Sequence, residues 1–469
     1  MIVNRTAKNL VKERFDMNFR TDQWFRFIQN VSPAWTSYQI LVFGFAILIF
    51  TGSLLLSFPF ASQSGEAIPY IDALFTATSA VCVTGLTIAD TGTYFSAFGQ
   101  VVIISLIQIG GLGIMTATTL IAVLLGKKIH LKERLMIQES FAHYNSNGVI
   151  RLVLYVIKLT LVIELIGGII LTIFLFPDYG LKAIYLGIWH SISSFCNAGF
   201  DILGHGNSYV GYVTNVGINL TLVVLIIIGS LGFFVISDIF QKKKWERLEV
   251  QSKLILTVTA SLLVIGTAMI FLLERTNPET LGDLPLYQQL LASFTQAVSR
   301  TAGVATVDIS LLRAPTFLFI MVLMFIGASP GSTGGGIKTN TFGIIIASAV
   351  SLIKGQKDTV VFHRRIPGEF VYRSFVIFFI SVTLVLVITW FLTIFEDQPF
   401  LLLLFEATSA FSTAGLSTTV SANLSIPGKL LIILTMFLGR VGMLTFVMSF
   451  SLRRKQGLYR YPSGKFRIG

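Results

Sequence analysis

Long uninterrupted apolar runs alternate with short polar segments along most of the chain. Runs of about 20 residues, the length that crosses the hydrocarbon core of a bilayer as a helix, begin at eight points. These points lie near Tyr38, Phe98, Leu152, Val216, Leu254, Phe317, Phe375 and Leu430. The pattern therefore predicts eight membrane-spanning helices.

Four shorter apolar stretches lie between the predicted spans. They are Tyr70–Val81, Ile184–Phe195, Gln288–Ser299 and Phe400–Phe411. Stretches of about 10 to 14 apolar residues are typical of re-entrant segments, and each is followed directly by a glycine turn. Because non-helical backbone at membrane depth must be buried in protein or line a water-filled cavity, we expect these turns to point inward.

Composition excludes a soluble protein. Of the 469 residues, 54% are hydrophobic and only 12% are charged, with a mean hydropathy of +0.77. A soluble domain carries about 25% charged residues. Two cysteines, Cys82 and Cys196, are too few for a disulfide framework or a zinc site. Residues 1–36 are polar, so no cleavable signal peptide is expected.

The net charge of +12 follows from membrane topology. If the N-terminus is cytoplasmic and the chain crosses eight times, five segments face the cytoplasm, and they hold 27 of the 35 Lys and Arg residues. These segments are 1–36, 126–151, 241–253, 353–374 and 453–469. Positive charge concentrates on the cytoplasmic side of membrane proteins. We therefore expect a multi-pass protein of the cell membrane with both termini in the cytoplasm, in contact with membrane lipids and without a nucleic-acid partner.

The four glycine turns indicate an internal repeat. Their glycines are 114, 104 and 112 residues apart, and a second glycine or glycine pair follows each within the next apolar run, at Gly110-Gly111, Gly229, Gly327 and Gly439. Repetition at a fixed period reveals architecture. The turns themselves contain Val83, Thr84 and Gly85; Asn197, Ala198 and Gly199; Thr301, Ala302 and Gly303; and Thr413, Ala414 and Gly415.

The predicted fold is an all-α polytopic membrane protein with four pseudo-symmetric helix–pore loop–helix repeats. Eight spans and four re-entrant pore helices would surround one central pore. Glycine turns allow carbonyl oxygens to replace the hydration shell of a cation, and the negative C-terminal ends of the short helices favour a cation there. The predicted divisions are a cytoplasmic segment 1–36, repeats 37–126, 150–241, 252–353 and 369–453, and a cytoplasmic tail 454–469.

The sixth apolar run contains a glycine-rich segment that is a poor helix, since glycine and proline have the lowest helix propensities. It does not fit the phosphate-binding fingerprint, because Ile337 separates Gly336 from Lys338. Two interpretations remain open, a kink that allows close packing and a mobile gate beneath the four turns. The candidate gate residues are Gly327, Ala328, Ser329, Pro330, Gly331, Ser332, Thr333, Gly334, Gly335, Gly336 and Lys338, together with Arg440.

Arg440 lies in the middle of the last apolar run. A charge at that depth is costly and faces a partner or a water-filled pathway, so it is either half of a structural ion pair or part of a barrier. Arg300 precedes the third turn, where a cationic wall would oppose cation passage. We expect Arg300 to brace the loop from behind, and we expect His190 to be packed or hydrogen-bonded.

These motifs resemble the Ktr/Trk/HKT superfamily of potassium transporters, and most closely its Ktr-type membrane subunits. The resemblance runs from about Ser37 to Gly469 and rests on the four turns, the glycine-rich segment and Gly439-Arg440. One departure from the family pattern is Val304, at a position that is often aromatic in the family. The resemblance implies a potassium filter built by the four turns, a gate formed by the glycine-rich segment with Arg440, and a homodimer. It also implies a separate cytosolic ring of regulatory subunits that bind ATP or ADP.

Other functions stay open at this point. A sodium-conducting or cation-coupled homologue would have the same pattern. A polytopic membrane enzyme would need histidines or carboxylates gathered at one membrane face, but the chain has only five histidines and no such cluster. Gly111-Leu112-Gly113 lacks the third glycine of a dinucleotide fingerprint. We therefore expect potassium as the transported ion, no organic cofactor in this chain and no enzyme activity.

Overall fold

The computed structural model describes residues 37–113, 116, 149–204, 208–418 and 420–450. The predicted cytoplasmic segment 1–36, the tail 454–469 and most of the basic segment 126–151 lie outside the described residues.

Helices dominate the described part of the chain. Four of them are long and apolar: α1 (Ser37–Leu56), α5 (Val149–Tyr179), α9 (Val250–Glu274) and α13 (Gly368–Phe395). Four shorter helices occupy the predicted re-entrant stretches: α2 (Tyr70–Cys82), α6 (Lys182–Phe195), α10 (Leu286–Ser299) and α14 (Phe400–Ser412). The remaining α-helices are α3 (Thr91–Tyr94), α4 (Ala97–Leu112), α7 (Val216–Leu231), α8 (Phe233–Lys242), α11 (Ala314–Phe325), α12 (Thr339–Ile353), α15 (Ile426–Val441) and α16 (Met443–Phe450).

A small hairpin joins α12 to α13, in which β1 (Val360–Val361) pairs antiparallel with β2 (Arg364–Arg365). Single 3₁₀ turns complete the described elements, at Pro59–Ala61, Val210–Tyr212, Trp245–Arg247, Ile309–Leu311 and Val420–Asn423. The order of the main elements is the same four times: a long helix, a short helix, a glycine turn and an interrupted helix.

The prediction of an uninterrupted span is wrong for the second helix of the first, second and fourth units, whereas the break predicted in the sixth apolar run is present. Gly113, Gly232 and Gly442 end α4, α7 and α15 with φ of 86°, 86° and 88° and ψ of 141°, 138° and 132°. That region of backbone space is essentially restricted to glycine. In the third unit the whole segment 326–338 separates α11 from α12. Within the described residues, four helices are long and apolar enough to span a bilayer, or five if α7 and α8, bent by 94°, form one broken span.

Backbone contacts join each interrupted helix to the short helix before it. In three units a β-carbon on a glycine of the interrupted helix would collide with a carbonyl oxygen at the end of the short helix. The pairs are Gly110 with Val81, Gly229 with Phe195 and Gly439 with Phe411. In the third unit the corresponding Gly327 lies instead against Gly335. The helices therefore approach closely only because these positions lack a side chain.

Polar contacts fix the ends of the units. Glu274, fully buried at the end of α9, accepts bonds from Asn277 Nδ2 at 2.7 Å and Thr280 Oγ1 at 2.7 Å, and from Thr316 Oγ1 on α11. The fourth unit is tied to the first by an ion pair of 2.7 Å between Lys429 Nζ on α15 and Asp72 Oδ1 on α2. These contacts join neighbouring helices where the apolar runs end.

Replacement of Gly439 by alanine is expected to lower the thermal unfolding midpoint of the purified protein. The added β-carbon meets the Phe411 carbonyl, and overpacking of this kind costs about 1–3 kcal/mol. Gly211→Ala is the matched control, because Gly211 has nothing within 4 Å of its β-carbon position. Equal midpoints for the two variants would contradict the close approach of α15 and α14.

Candidate functional site

The four predicted turns meet in one closed ring. A β-carbon at Gly199 would lie 2.5 Å from Ala302 O and 3.1 Å from Gly303 Cα, and one at Gly303 would lie 2.7 Å from Ala414 O and 2.9 Å from Gly415 Cα. The same relation links the other two pairs, Gly415 with Thr84 O and Gly85 with Ala198 O. Each glycine thus touches the residue before the next glycine, and the fourth contact returns to the first loop.

All four ring glycines have positive φ, from 64° to 89°. A side chain at these positions would be strained by the backbone conformation and would also have no room. Carbonyl oxygens of Thr84, Ala198, Ala302 and Ala414 lie at the four junctions. The ring therefore brings together four carbonyl groups, one from each unit, in a space that only glycine permits.

Three of the short helices end in the same way. Thr84 N donates to Ser79 O at 2.8 Å, and the equivalent bonds Ala198 N–Ser193 O and Ala414 N–Ser409 O measure 2.8 and 3.0 Å. The residue before each donor has a left-handed backbone conformation although it is not glycine. Val83, Asn197 and Thr413 have φ of 58°, 58° and 49°. This is the Schellman ending of a helix, and for a β-branched residue it is strained. The surrounding contacts hold the backbone in this conformation.

The third loop differs because of Arg300. Its helix α10 continues into Arg300 with φ of −52°, and Gly303 N donates to Ser299 O at 3.0 Å. The buried Arg300 guanidinium donates to the carbonyl of Ile326 and, at 3.3 Å, to that of Gly327, at the end of α11. Arg300 therefore lies behind the loop and satisfies carbonyl groups that the broken helix leaves free.

The glycine-rich segment 326–338 lies directly against these loops. Thr333 Oγ1 donates to Asn197 Oδ1 at 2.9 Å, and Asn197 Nδ2 donates to Thr301 Oγ1 at 3.0 Å. Gly335 N donates to Thr413 Oγ1 at 2.9 Å. A β-carbon at Gly334 would lie 4.0 Å from Thr301 O. The segment thus contacts three of the four loops on the side of the short-helix ends.

Two cationic side chains hold the segment. Lys338 Nζ donates to Gly334 O at 2.6 Å. Arg440 Nη1 donates to Thr333 O, while its Nη2 donates to Gly110 O and, at 3.1 Å, to Gly111 O. Arg440 thereby connects the glycine-rich segment to α4 of the first unit. Among the described residues no carboxylate forms an ion pair with Arg440, which argues against the ion-pair interpretation.

The structure brings the sequence-predicted residues of the four turns and the glycine-rich segment into one region. Gly327 to Lys338 is non-helical, Ala328, Ser329 and Thr333 are buried, and Ser329 N is bonded to Ser230 O at 3.0 Å. Gly331 O accepts from Phe233 N at 3.0 Å. Pro330, Ser332 and Gly336 lie along the same stretch of backbone. No group of three or more His, Cys, Asp or Glu side chains that could hold a metal ion occurs in the described ranges.

Sequence reasoning missed the three helix-ending glycines. Gly113, Gly232 and Gly442 follow their ring glycines by 28, 33 and 27 residues, and this spacing could have identified them. It also missed the side-chain amide of Asn197, which bridges the third loop and Thr333. No repeat signal marks Asn197, because the equivalent positions are Val83, Thr301 and Thr413.

Fold and ring define a polytopic helical membrane protein in which four loops converge at one site. Residues 16–460 match the TrkH family, described as cation transport proteins. The chain belongs to this family, which confirms the resemblance drawn from the motifs. Its relatives are named as transport proteins and not as enzymes.

Individual relatives cover almost the whole chain. It is 41% identical over 455 residues to Ktr system potassium uptake protein B of Bacillus subtilis (strain 168), covering 97% of this chain and 100% of that protein. It is 39% identical over 439 residues to potassium/sodium uptake protein NtpJ of Enterococcus hirae, covering 92% of this chain and 97% of that protein. The crystal structure of the potassium transporter TrkH from Vibrio parahaemolyticus has the same fold, with a TM-score of 0.71 at 19% identity, covering 90% of this chain and 86% of that one.

Proposed function

We propose that this protein carries out potassium uptake across the cell membrane through a channel-like filter formed by the four loops. The closed ring of Gly85, Gly199, Gly303 and Gly415 is the observation that carries the proposal. Rings of backbone carbonyl groups replace the hydration shell of a cation. The ends of the four short helices add partial negative charge at the same place.

In this arrangement potassium is the transported substrate, and no organic cofactor is involved. Residues of all four turns would bind it, chiefly through their backbone carbonyls: Val83, Thr84, Gly85, Asn197, Ala198, Gly199, Thr301, Ala302, Gly303, Thr413, Ala414 and Gly415. The first turn of this chain contains glycine, and the family resemblance associates glycine at that position with potassium selectivity. Passage of sodium is the second candidate, favoured by the name of the Enterococcus hirae relative.

Flux measurements in proteoliposomes test the filter. Each ring glycine replaced by serine should lower the ratio of potassium to sodium flux, because a β-carbon displaces the neighbouring carbonyl. We expect the ratio to fall about tenfold, equivalent to about 1.4 kcal/mol. Gly65→Ser is the control, since Gly65 has positive φ but open space around it. Unchanged flux ratios in all four ring variants would refute the filter.

We further propose that the glycine-rich segment is the gate of this pathway. It contacts three of the loops, and its non-helical backbone is held by side-chain hydrogen bonds that can break. Arg440 joins the segment to α4 through Thr333 O, Gly110 O and Gly111 O. Its charge, together with that of Lys338, would repel a cation passing through a region of low dielectric constant.

Two changes test the gate. Replacing Arg440 by alanine removes the hydrogen bonds that hold the segment to α4, together with a positive charge. Deleting Gly331 and Ser332 shortens the segment. Each change should raise potassium flux severalfold. Lys429→Ala serves as control, because Lys429 lies on the same helix as Arg440 but pairs with Asp72. Loss of flux in both test variants at matched protein amounts would favour a packing kink instead.

Regulation and assembly are proposed on the basis of the family. The chain would form a homodimer in the cell membrane, with both termini cytoplasmic, and would bind a cytosolic ring of nucleotide-binding subunits. The system names of the Bacillus subtilis relatives support a partner component. Exposed apolar side chains on the long helices, such as Leu161, Ile173 and Val264, fit contact with membrane lipids.

Nucleotide dependence tests the partner. Purified alone, the protein should give potassium flux that does not respond to ATP or ADP, because the sequence contains no recognisable nucleotide-binding motif. Adding a nucleotide-binding ring from a related system should make the flux differ between the two nucleotides. A nucleotide response of the isolated protein would contradict the assignment of nucleotide binding to a separate subunit.

A further inference from the structure

A buried histidine links the second short helix to the segment that follows its ring glycine. His190 is fully buried on α6. Its Nδ1 lies 2.8 Å from Leu186 O, and Ile202 N donates to its Nε2 at 3.0 Å. Nδ1 therefore carries the proton and Nε2 is the acceptor. The side chain reaches past the turn and holds the chain three residues beyond Gly199.

A buried carboxylate makes the corresponding link in the fourth unit. Glu406 is fully buried on α14. It accepts hydrogen bonds from Ser417 Oγ at 3.0 Å and from Ser421 Oγ. Ser417 follows Gly415 by two residues.

The two residues occupy equivalent positions, because each lies nine residues before its ring glycine. The other two units have Thr76 and Phe294 there. Across the described residues, neither of these side chains bonds to the segment after its own glycine. The order of contacts around the ring runs from unit 1 to unit 4 in sequence, so units 2 and 4 face each other. A side chain at this helix position thus bonds the segment after the ring glycine in only two of the four loops, and these two lie opposite each other.

We infer that His190 and Glu406 are positioning residues that fix opposite loops of the ring and thereby set its discrimination between potassium and sodium. The inference rests on the proposed filter. Both loops begin with a non-glycine residue in the left-handed region, Asn197 or Thr413, and we expect contacts on both sides of the turn to hold this conformation. Bonds on the far side of each glycine supply such contacts and limit how far the carbonyl groups can shift.

The chain itself supplies the test variants. His190→Phe copies Phe294, and Glu406→Thr copies Thr76, so each introduces a side chain already present at the equivalent position of another loop. Each variant should reduce the ratio of potassium to sodium flux in proteoliposomes about tenfold, equivalent to about 1.4 kcal/mol. Glu406→Gln, which keeps the shape, provides a second variant should Glu406→Thr fail to fold, and it should lower the ratio in the same direction.

A double-variant cycle separates positioning from general stability. If Glu406 acts through Ser417, then Ser417→Ala should lower the flux ratio alone but add little in the Glu406→Gln background. Glu274→Gln and Thr316→Ala form the matched control. This pair is also a buried carboxylate that accepts a hydroxyl bond, but it lies outside the ring. These controls should change the amount of active protein without changing the flux ratio.

Comparison with Gly415→Ser distinguishes failure of the positioning inference from failure of the proposed filter. If that variant alters the flux ratio while His190→Phe and the Glu406 variants do not, the positioning inference is overturned and the filter stands. If neither these variants nor any of the four ring-glycine variants alters the ratio, the filter itself is refuted. A lowered ratio in the Glu274 control equal to that of Glu406→Gln would also overturn the inference, because the effect would then be general.

Discussion

Backbone hydrogen bonding is the constraint on which the structure depends. A membrane core offers no water to satisfy N–H and C=O groups, so non-helical backbone there needs partners within the protein. Four turns and the segment 326–338 violate helical geometry within the apolar region, and each is provided with partners. Arg300 donates to the Ile326 carbonyl at the end of α11, and Arg440 and Lys338 donate to the Thr333 and Gly334 carbonyls of the segment. The side chains of Asn197 and Thr413 accept hydrogen bonds from Thr333 Oγ1 and Gly335 N of the segment.

Close packing follows from the same constraint. Carbonyl groups at the ends of three short helices face glycines of the interrupted helices, as for Gly229 and Phe195. Larger residues would separate the helices and open the loops to the lipid. Small residues at helix contacts serve this purpose in membranes, where burial of apolar surface gives little driving force between helices. The ring geometry thus depends on packing some distance from the ring.

Sequence reasoning predicted the short helices, the four turns and the break in the sixth run, because glycine and proline have strong and local effects on the backbone. It did not predict that Gly113, Gly232 and Gly442 interrupt the other second helices, since a single glycine inside an apolar run is also tolerated in a regular helix. It correctly expected Arg300 to lie behind its loop. Contacts between units, such as Arg440 with Thr333 and Gly110, depend on how distant segments dock, and the sequence carries no local signal for them.

The third unit differs from the other three in how its short helix ends, in how its second helix packs and in the length of the break in that helix. Elsewhere the interrupted helix packs directly on the end of the short helix through glycine. Here the Arg300 side chain lies between them and bonds Ile326 O and Gly327 O. In this unit α11 ends at Phe325, and segment 326–338 contacts the second and fourth loops through Thr333 and Gly335. Among the described residues, the unit that contains Arg300 is also the one whose second helix is interrupted by a long non-helical segment. Glycine contacts therefore pack the interrupted helix on the short helix in units 1, 2 and 4, whereas in unit 3 the Arg300 guanidinium bonds the carbonyl groups at the end of α11.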